Sequence, residues 1–205
     1  MNRRQEQNEQ SREKIINGAL DEFGRNDYFT ASTNSICKNN GISKGLLFHY
    51  YVSKDELFMV CVKKCFDELS KHIEEHLHES VGTMEEMLCE YIQCRIEFFK
   101  LQPYYKKIFH TAVFNAPQHL VLDIEESRKI LNEVNELFLA KVLDNLELKK
   151  EVNKDEVISI SIDFANYLLL KYKLHGTEED NFMEESSKEF IQMMKMLFYG
   201  IVQGN

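Results

Sequence analysis

The stretch Lys38-Asn39-Asn40-Gly41-Ile42-Ser43-Lys44-Gly45-Leu46-Leu47-Phe48-His49-Tyr50-Tyr51-Val52-Ser53-Lys54-Asp55-Glu56-Leu57-Phe58 decides the fold, because it places two helix starts and a tight turn within 21 residues. Gly41 supplies the left-handed backbone that ends a helix, and Ser43 can cap the next one by accepting from an orphan N–H. Ser53-Lys54-Asp55-Glu56 has the form of a capping box that opens a further helix. Nine residues separate the two caps, fewer than the roughly 12–15 that an isolated helix needs in water. Neighbours must therefore hold this short helix, which leaves Lys44, Gly45, His49 and Tyr50 free to form an outer face.

Residues 32 to 40 supply the first neighbour. Ser32-Thr33-Asn34-Ser35-Ile36-Cys37-Lys38-Asn39-Asn40 begins with an N-cap candidate and ends at Gly41, so a glycine turn joins two short helices. This is the helix-turn-helix arrangement, whose first helix crosses the phosphate backbone while the second enters the major groove. Upstream, Ile15, Ile16, Ala19, Leu20 and Phe23 recur at helical spacing and cover the apolar side of the pair.

Phe23-Gly24, Ser32, Ile36, Gly41-Ile42-Ser43-Lys44-Gly45, Phe48-His49-Tyr50-Tyr51 and Ser53-Lys54-Asp55-Glu56-Leu57 together resemble the amino-terminal domain of the TetR family of transcriptional regulators, over residues 10 to 60. The resemblance implies that Thr33, Ser43, Tyr50 and Lys54 hold phosphates while Lys44, Gly45, Leu46 and His49 face the groove. Leu46 stands where the family often has a small polar residue, and Phe48 lacks the hydroxyl of a frequent tyrosine. Thymine-methyl contact and DNA shape are accordingly expected to contribute to specificity.

The rest of the chain reads as helical. It has 205 residues, 43% hydrophobic and 29% charged, and only two prolines and eight glycines interrupt it. Without clean period-2 runs the expectation is all-α, with about nine helices: a polar arm over 1–9, a three-helix DNA-binding domain over 10–55 and a larger helical bundle over 56–205. No apolar segment follows the charged start, and no stretch approaches membrane-spanning length, so a soluble, cytoplasmic protein without membrane contact is expected.

Charge is uneven along the chain. Residues 1–54 carry eight Lys and Arg against six Asp and Glu, whereas residues 55–205 carry 17 against 28, so the segments hold +2 and −11 of the net −9. DNA contact then depends on a local patch drawn from Arg3, Arg4, Arg12, Lys14, Lys38, Lys44 and Lys54. The acidic remainder repels DNA and confines contact to one end.

The five cysteines fit no secreted disulfide framework and read as small hydrophobes, although Cys61 with Cys65 and Cys89 with Cys94 invite a redox or metal alternative. His72 and His76, one turn apart and followed by His78, lack an evident third ligand among Glu74, Glu75 and Glu79. They read as a solvated helix face, so no metal and no cofactor is expected.

Past Leu57 the expected helices run from 55 to about 77, from a Thr83-Met84-Glu85-Glu86 capping box to Pro103, over 104–113, over 118–146 as one helix or a kinked pair, and over two apolar carboxyl-terminal segments. Lys149 to Asn153 reads as a charged link. Apolar groups occupy nearly the whole circumference of Val157 to Leu170, and Leu168, Phe190, Met194, Leu197 and Ile201 are the interface candidates of a homodimer built from 155–174 and 182–202. In the TetR family the last two long helices commonly pair with their copies in a four-helix bundle, which the resemblance implies here.

Met87, Tyr91, Phe98, Tyr104, Tyr105, Phe109, Phe138, Phe164 and Tyr167, with Asp163, form a pool that can line a pocket for a small-molecule effector, and Glu90 and Glu97 can add negative charge. The expected function is that of a repressor released by a hydrophobic or amphipathic molecule from an inverted-repeat, double-stranded operator. A lipophilic cation is favoured and a neutral lipid comes next. A DNA-binding adaptor without effector, or an activator of the same fold, remains open. No nucleophile-base-orienter set, phosphate loop or metal motif suggests an enzyme, so no catalytic residue is expected.

Overall fold

The computed structural model describes residues 3–77, 81–175 and 179–202. His78, Ser80 and the loop centre at 176–178 lie outside the described residues. Ten α-helices occur among them: α1 (Arg3–Arg25), α2 (Thr33–Asn40), α3 (Lys44–Tyr50), α4 (Lys54–Leu77), α5 (Met84–Leu101), α6 (Pro103–Phe114), α7 (Val121–Ser127), α8 (Lys129–Asp144), α9 (Lys154–His175) and α10 (Glu179–Ile201). The polar segment expected as an arm is helical from Arg3 onward, since Arg, Gln and Glu are good helix formers. The segment 118–146 is a kinked pair in which a 3-10 turn at Gln118–Leu120 leads into α7, and Arg128 separates α7 from α8.

The chain divides into two compact units, one of residues 1–68 with 99–128 and the other of 69–98 with 129–205, so the divisions fall inside α4 and α5. In the first unit α1 lies against both α2 and α6. Ile15, Ala19 and Phe23 from α1 are buried with Ile36, Leu47, Leu57, Phe58 and Val62. The Phe58 ring meets Phe23 and Tyr28 edge-on, each at 5.1 Å. Gly24 permits the close approach of α6, since a Cβ there would come within 2.7 Å of the Tyr104 backbone.

Further along the same unit, Phe109 stands edge-on to Phe66 at 5.9 Å and the Cys65 thiol donates to the Tyr105 carbonyl at 3.6 Å. Cys61 and Cys65 are wholly buried, and burial pushes the Cys61 thiol up, so both serve as small core hydrophobes.

The second unit buries Ile73, Met87, Leu88, Leu131, Leu139, Val142, Leu143 and Phe198. The Thr83 box forms as expected: Glu86 N–H donates to Thr83 Oγ1 at 3.3 Å and Thr83 N–H donates to Glu86 Oε2 at 2.8 Å. The charged link ends at Asn153, whose Oδ1 caps α9 by accepting from the Asp155 N–H at 2.9 Å. Lys149 ties this link to the end of α10, its N–H donating to the Ile201 carbonyl at 2.9 Å and its Nζ to the Gly200 carbonyl at 2.8 Å.

Candidate nucleic-acid interface

Local chemistry shapes the turn between α2 and α3. Gly41 takes φ 57° and ψ 44°, and the Ile42 N–H donates to the Cys37 carbonyl at 2.9 Å, closing α2 in the manner of a Schellman cap. Ser43 Oγ accepts from the Leu46 N–H at 3.1 Å and starts α3. Ser53 Oγ accepts from the Glu56 N–H at 3.1 Å, while Glu56 Oε2 accepts from the Val52 N–H at 2.6 Å, so both ends of α3 are flanked by side-chain caps.

The result is a short helix that buries only Leu47. Ser43, Lys44, Gly45, Phe48 and His49 are exposed, and Leu46 and Tyr50 are half-buried. Apart from its chain neighbours and its own helix backbone, no described atom lies within 4 Å of where a Gly45 Cβ would stand. Two more cations, Lys14 and Lys38, are exposed nearby on α1 and α2, and Lys14 Nζ lies 4.0 Å from the position of a Gly41 Cβ.

Three of the expected phosphate holders have partners inside the protein or sit at its edge. Tyr50 donates to Asn8 Oδ1 on α1 at 3.2 Å, which stretches this contact from the recognition helix to the first turns of α1. Thr33 is half-buried as the first residue of α2. Lys54 already has partners within the protein, since its Nζ donates to the Ala31 carbonyl at 3.0 Å and sits 4.4 Å from the centre of the Tyr28 ring. Its ammonium therefore fastens the α1–α2 loop to α4.

Two residues that the sequence did not single out complete this frame. Glu22, buried on α1, accepts from the Ser32 N–H at 2.9 Å and holds the start of α2. Tyr28 donates to Asp55, which also accepts from His119 Nε2 at 3.1 Å. The Tyr28 phenol bond holds the Asp55 carboxyl below the usual carboxylate range against the opposing effect of burial, with His119 and Lys54 assisting. The Tyr28 phenol is pushed up to about 12 by burial and by the same bond.

A depressed carboxyl stabilises the fold above its unfolded value, about pH 3.9 for aspartate, and loses that contribution as pH falls through its folded value. Thermal melts of the protein and of Asp55→Asn should therefore differ near neutrality and converge in acid. A difference that stayed constant down to about pH 2 would remove the Tyr28–Asp55 pair from the account.

Elsewhere the expected site residues separate. Tyr104, Tyr105 and Phe109 belong to the first unit, where Tyr104 is exposed and accepts from Arg25 at 3.3 Å while Tyr105 and Phe109 are buried. Met87, Tyr91, Phe98 and Phe138 are buried in the second unit, with Tyr91 stacked on Phe138 at 4.5 Å and donating to Asn135 Oδ1 at 2.7 Å. Phe164 is half-buried, whereas Glu90, Glu97, Asp163 and Tyr167 are exposed. The aromatic pool is thus divided among two cores and a helix surface.

Asp163 instead borders an open groove of about 710 Å³ between α8 and α9. Leu137, Ala140, Ile158 and Ile162 give it an apolar floor, and Glu133, Glu136 and Asp155 join Asp163 around it. Among the interface candidates, Leu168 and Met194 are buried within the protomer, and Phe190, Leu197 and Ile201 are half-buried. The exposed apolar groups are Ile160, Tyr167, Leu170 and Leu174 on α9 and Met193, Met196 and Tyr199 on α10. Those on α9 follow a three-four spacing and so share one face.

A capped, outward-facing second helix behind a glycine turn, braced by α1 and the start of α4, defines a helix-turn-helix DNA-binding protein. Residues 15–60 match the family described as "Bacterial regulatory proteins, tetR family". Residues 15–60 are thus a TetR-family amino-terminal domain.

The biofilm operon icaADBC HTH-type negative transcriptional regulator IcaR of Staphylococcus aureus (strain Newman) is 24% identical over 182 residues, 87% of this chain and 92% of IcaR. The HTH-type transcriptional regulator UidR of Escherichia coli (strain K12) is 24% identical over 204 residues, 98% of each chain. In fold, the chain is similar to the transcriptional regulator FadR from Bacillus subtilis in complex with stearoyl-CoA, with a TM-score of 0.65 at 16% identity over 92% of this chain and 98% of FadR. A Rhodococcus transcriptional regulator gives a TM-score of 0.68 at 16% identity, covering 94% of this chain and 98% of its own. Among the described residues no helix is long and apolar enough to cross a membrane.

Proposed function

We propose that this regulator represses transcription as a two-fold dimer on an inverted-repeat operator and is released by a hydrophobic or amphipathic small molecule, without turning that molecule over. Residues 10–55 read the DNA, with Thr33, Ser43 and Tyr50 at phosphates and Lys44, Gly45, Leu46, Phe48 and His49 at the groove. Residues 56–205 supply dimerisation and effector binding. The observation that carries the reading is α3 itself, a helix with one buried residue and a capped start. Its outer face, with Lys44, Gly45, Phe48 and His49 exposed, is left available to a duplex. Repression is supported by the negative regulator IcaR.

Dimerisation is supported by the exposed apolar stripe on α9 and its counterpart on α10, since contiguous patches of this kind mark interaction surfaces. An amphipathic effector is supported by stearoyl-CoA in the FadR complex and by the apolar floor of the α8–α9 groove. The acidic rim of that groove favours a molecule with a cationic end.

Selection of bound sequences from randomised DNA tests the central reading. Enrichment of an inverted repeat with half-sites about one helical turn apart is expected. Recovery of no preferred sequence would refute it.

Gly45→Ala separates fold from DNA contact. Glycine inside a helix costs about 0.5–1 kcal/mol relative to alanine, and the Cβ would meet nothing in the protein, so thermal stability should rise slightly. Operator affinity should fall, because the methyl group enters space reserved for the duplex. Unchanged affinity would mean that α3 does not approach DNA closely at Gly45.

A further inference from the structure

The carboxyl-terminal part of α4 carries His72 and His76 one turn apart, and α5 brings Cys94 to them within the second unit. One ligand atom from each lies within 4.8 Å of the others. The two imidazoles overlap at 3.9 Å between centroids, tilted by 37°. His76 Nδ1 donates to the His72 carbonyl at 2.8 Å, which fixes the tautomer and leaves the Nε2 lone pair for a ligand bond. His72 is bonded through its ring to the Cys94 backbone, while its Nε2 is buried without a hydrogen-bond partner. An orphaned imidazole nitrogen in such a place calls for an explanation.

We propose that His72 Nε2, His76 Nε2 and Cys94 Sγ form a binding site for a zinc-class divalent cation, with water in the fourth position. Two imidazoles and a thiolate are borderline-soft donors that suit zinc and disfavour magnesium and calcium. Metal bonds of about 2.0–2.1 Å to nitrogen and 2.3 Å to sulfur, arranged tetrahedrally, leave donor atoms roughly 3.3–3.7 Å apart. Ligand atoms of the three residues already lie within 4.8 Å of one another, so side-chain rotation would have to draw them closer to reach that geometry.

The Cys94 thiol now donates to the His72 carbonyl at 3.8 Å, and a cation bound at its sulfur would displace that proton to solvent as the metal–sulfur bond forms. Glu97, one turn along α5, acts electrostatically on both His72 and Cys94 and adds negative charge beside the cation. The Phe98 ring, 5.4 Å from His72, walls one side. Occupancy would clamp α4 to α5.

Cobalt(II) titrated into the untagged, reduced, full-length chain is the direct probe, with zinc(II) as competitor. One equivalent should produce a thiolate-to-cobalt charge-transfer band and the intense visible bands of a tetrahedral site, both bleached by zinc. Cys94→Ser should lose the charge-transfer band, whereas Cys89→Ser, at an exposed thiol, should keep it. His76→Gln changes an exposed side chain and should weaken cobalt binding by more than the roughly 10-fold that follows loss of an outer-shell partner. No charge-transfer band, a band that survives Cys94→Ser, or an unchanged affinity in His76→Gln would each overturn the site.

Discussion

Phe58→Ala should cost the first unit about 3–5 kcal/mol, the range for truncating a fully buried phenylalanine. The side chain has no solvent exposure, and its ring touches Phe23 on α1 and Tyr28 in the α1–α2 loop at the same 5.1 Å. Tyr28 is not free to turn into the space, because it is held by Asp55 and the ammonium of Lys54 lies over its face. A typical domain has only about 5–15 kcal/mol in hand, so a loss of this size should leave the recognition helix unsupported at growth temperature. Urea unfolding read by circular dichroism should show an early transition for part of the chain, since two units need not melt together. A cost below about 1 kcal/mol would mean that the site collapses around the cavity, and the three-ring cluster would then not brace α3.

The amino-terminal third was legible because its determinants are local. A serine at each helix start, a glycine where φ must be positive, and Glu56 three residues after Ser53 each act within one turn of chain, and the structure realises every one. What the sequence hid was long-range. That 99–128 folds with the amino-terminal helices rests on α1 packing along α6, a contact that includes Gly24 against Tyr104, far apart in the chain.

The same holds for the side chains expected to act together. Lys54 looked like a phosphate holder, but its partners Ala31 and Tyr28 lie some two dozen residues away. His72 and His76 were visible as an i,i+4 pair, while the third donor arrives from the next helix, and no spacing rule connects it to them. The aromatic pool was read from composition, which records how many rings a segment holds but not which unit buries them.

Lys44→Ala is the substitution expected to hurt function most while leaving the fold intact. Lys44 opens α3, is exposed, and lies next to Gly45, where the protein leaves open space. A side chain in that position that reaches a base edge contributes about 1–3 kcal/mol of discrimination, so operator affinity should fall roughly 5- to 150-fold. Binding to unrelated DNA should fall less.

Lys54→Ala provides the contrast. Its ammonium is engaged by the Ala31 carbonyl and the Tyr28 ring, so the variant should melt at lower temperature yet keep the salt slope of operator binding. Removing a true phosphate contact would instead reduce that slope by about 0.9. Fluorescence anisotropy over a salt series, with operator and scrambled duplexes, reads both effects. If Lys44→Ala weakened the two duplexes equally with a reduced slope, Lys44 would hold a phosphate, and sequence reading on α3 would pass to Gly45, Leu46 and His49.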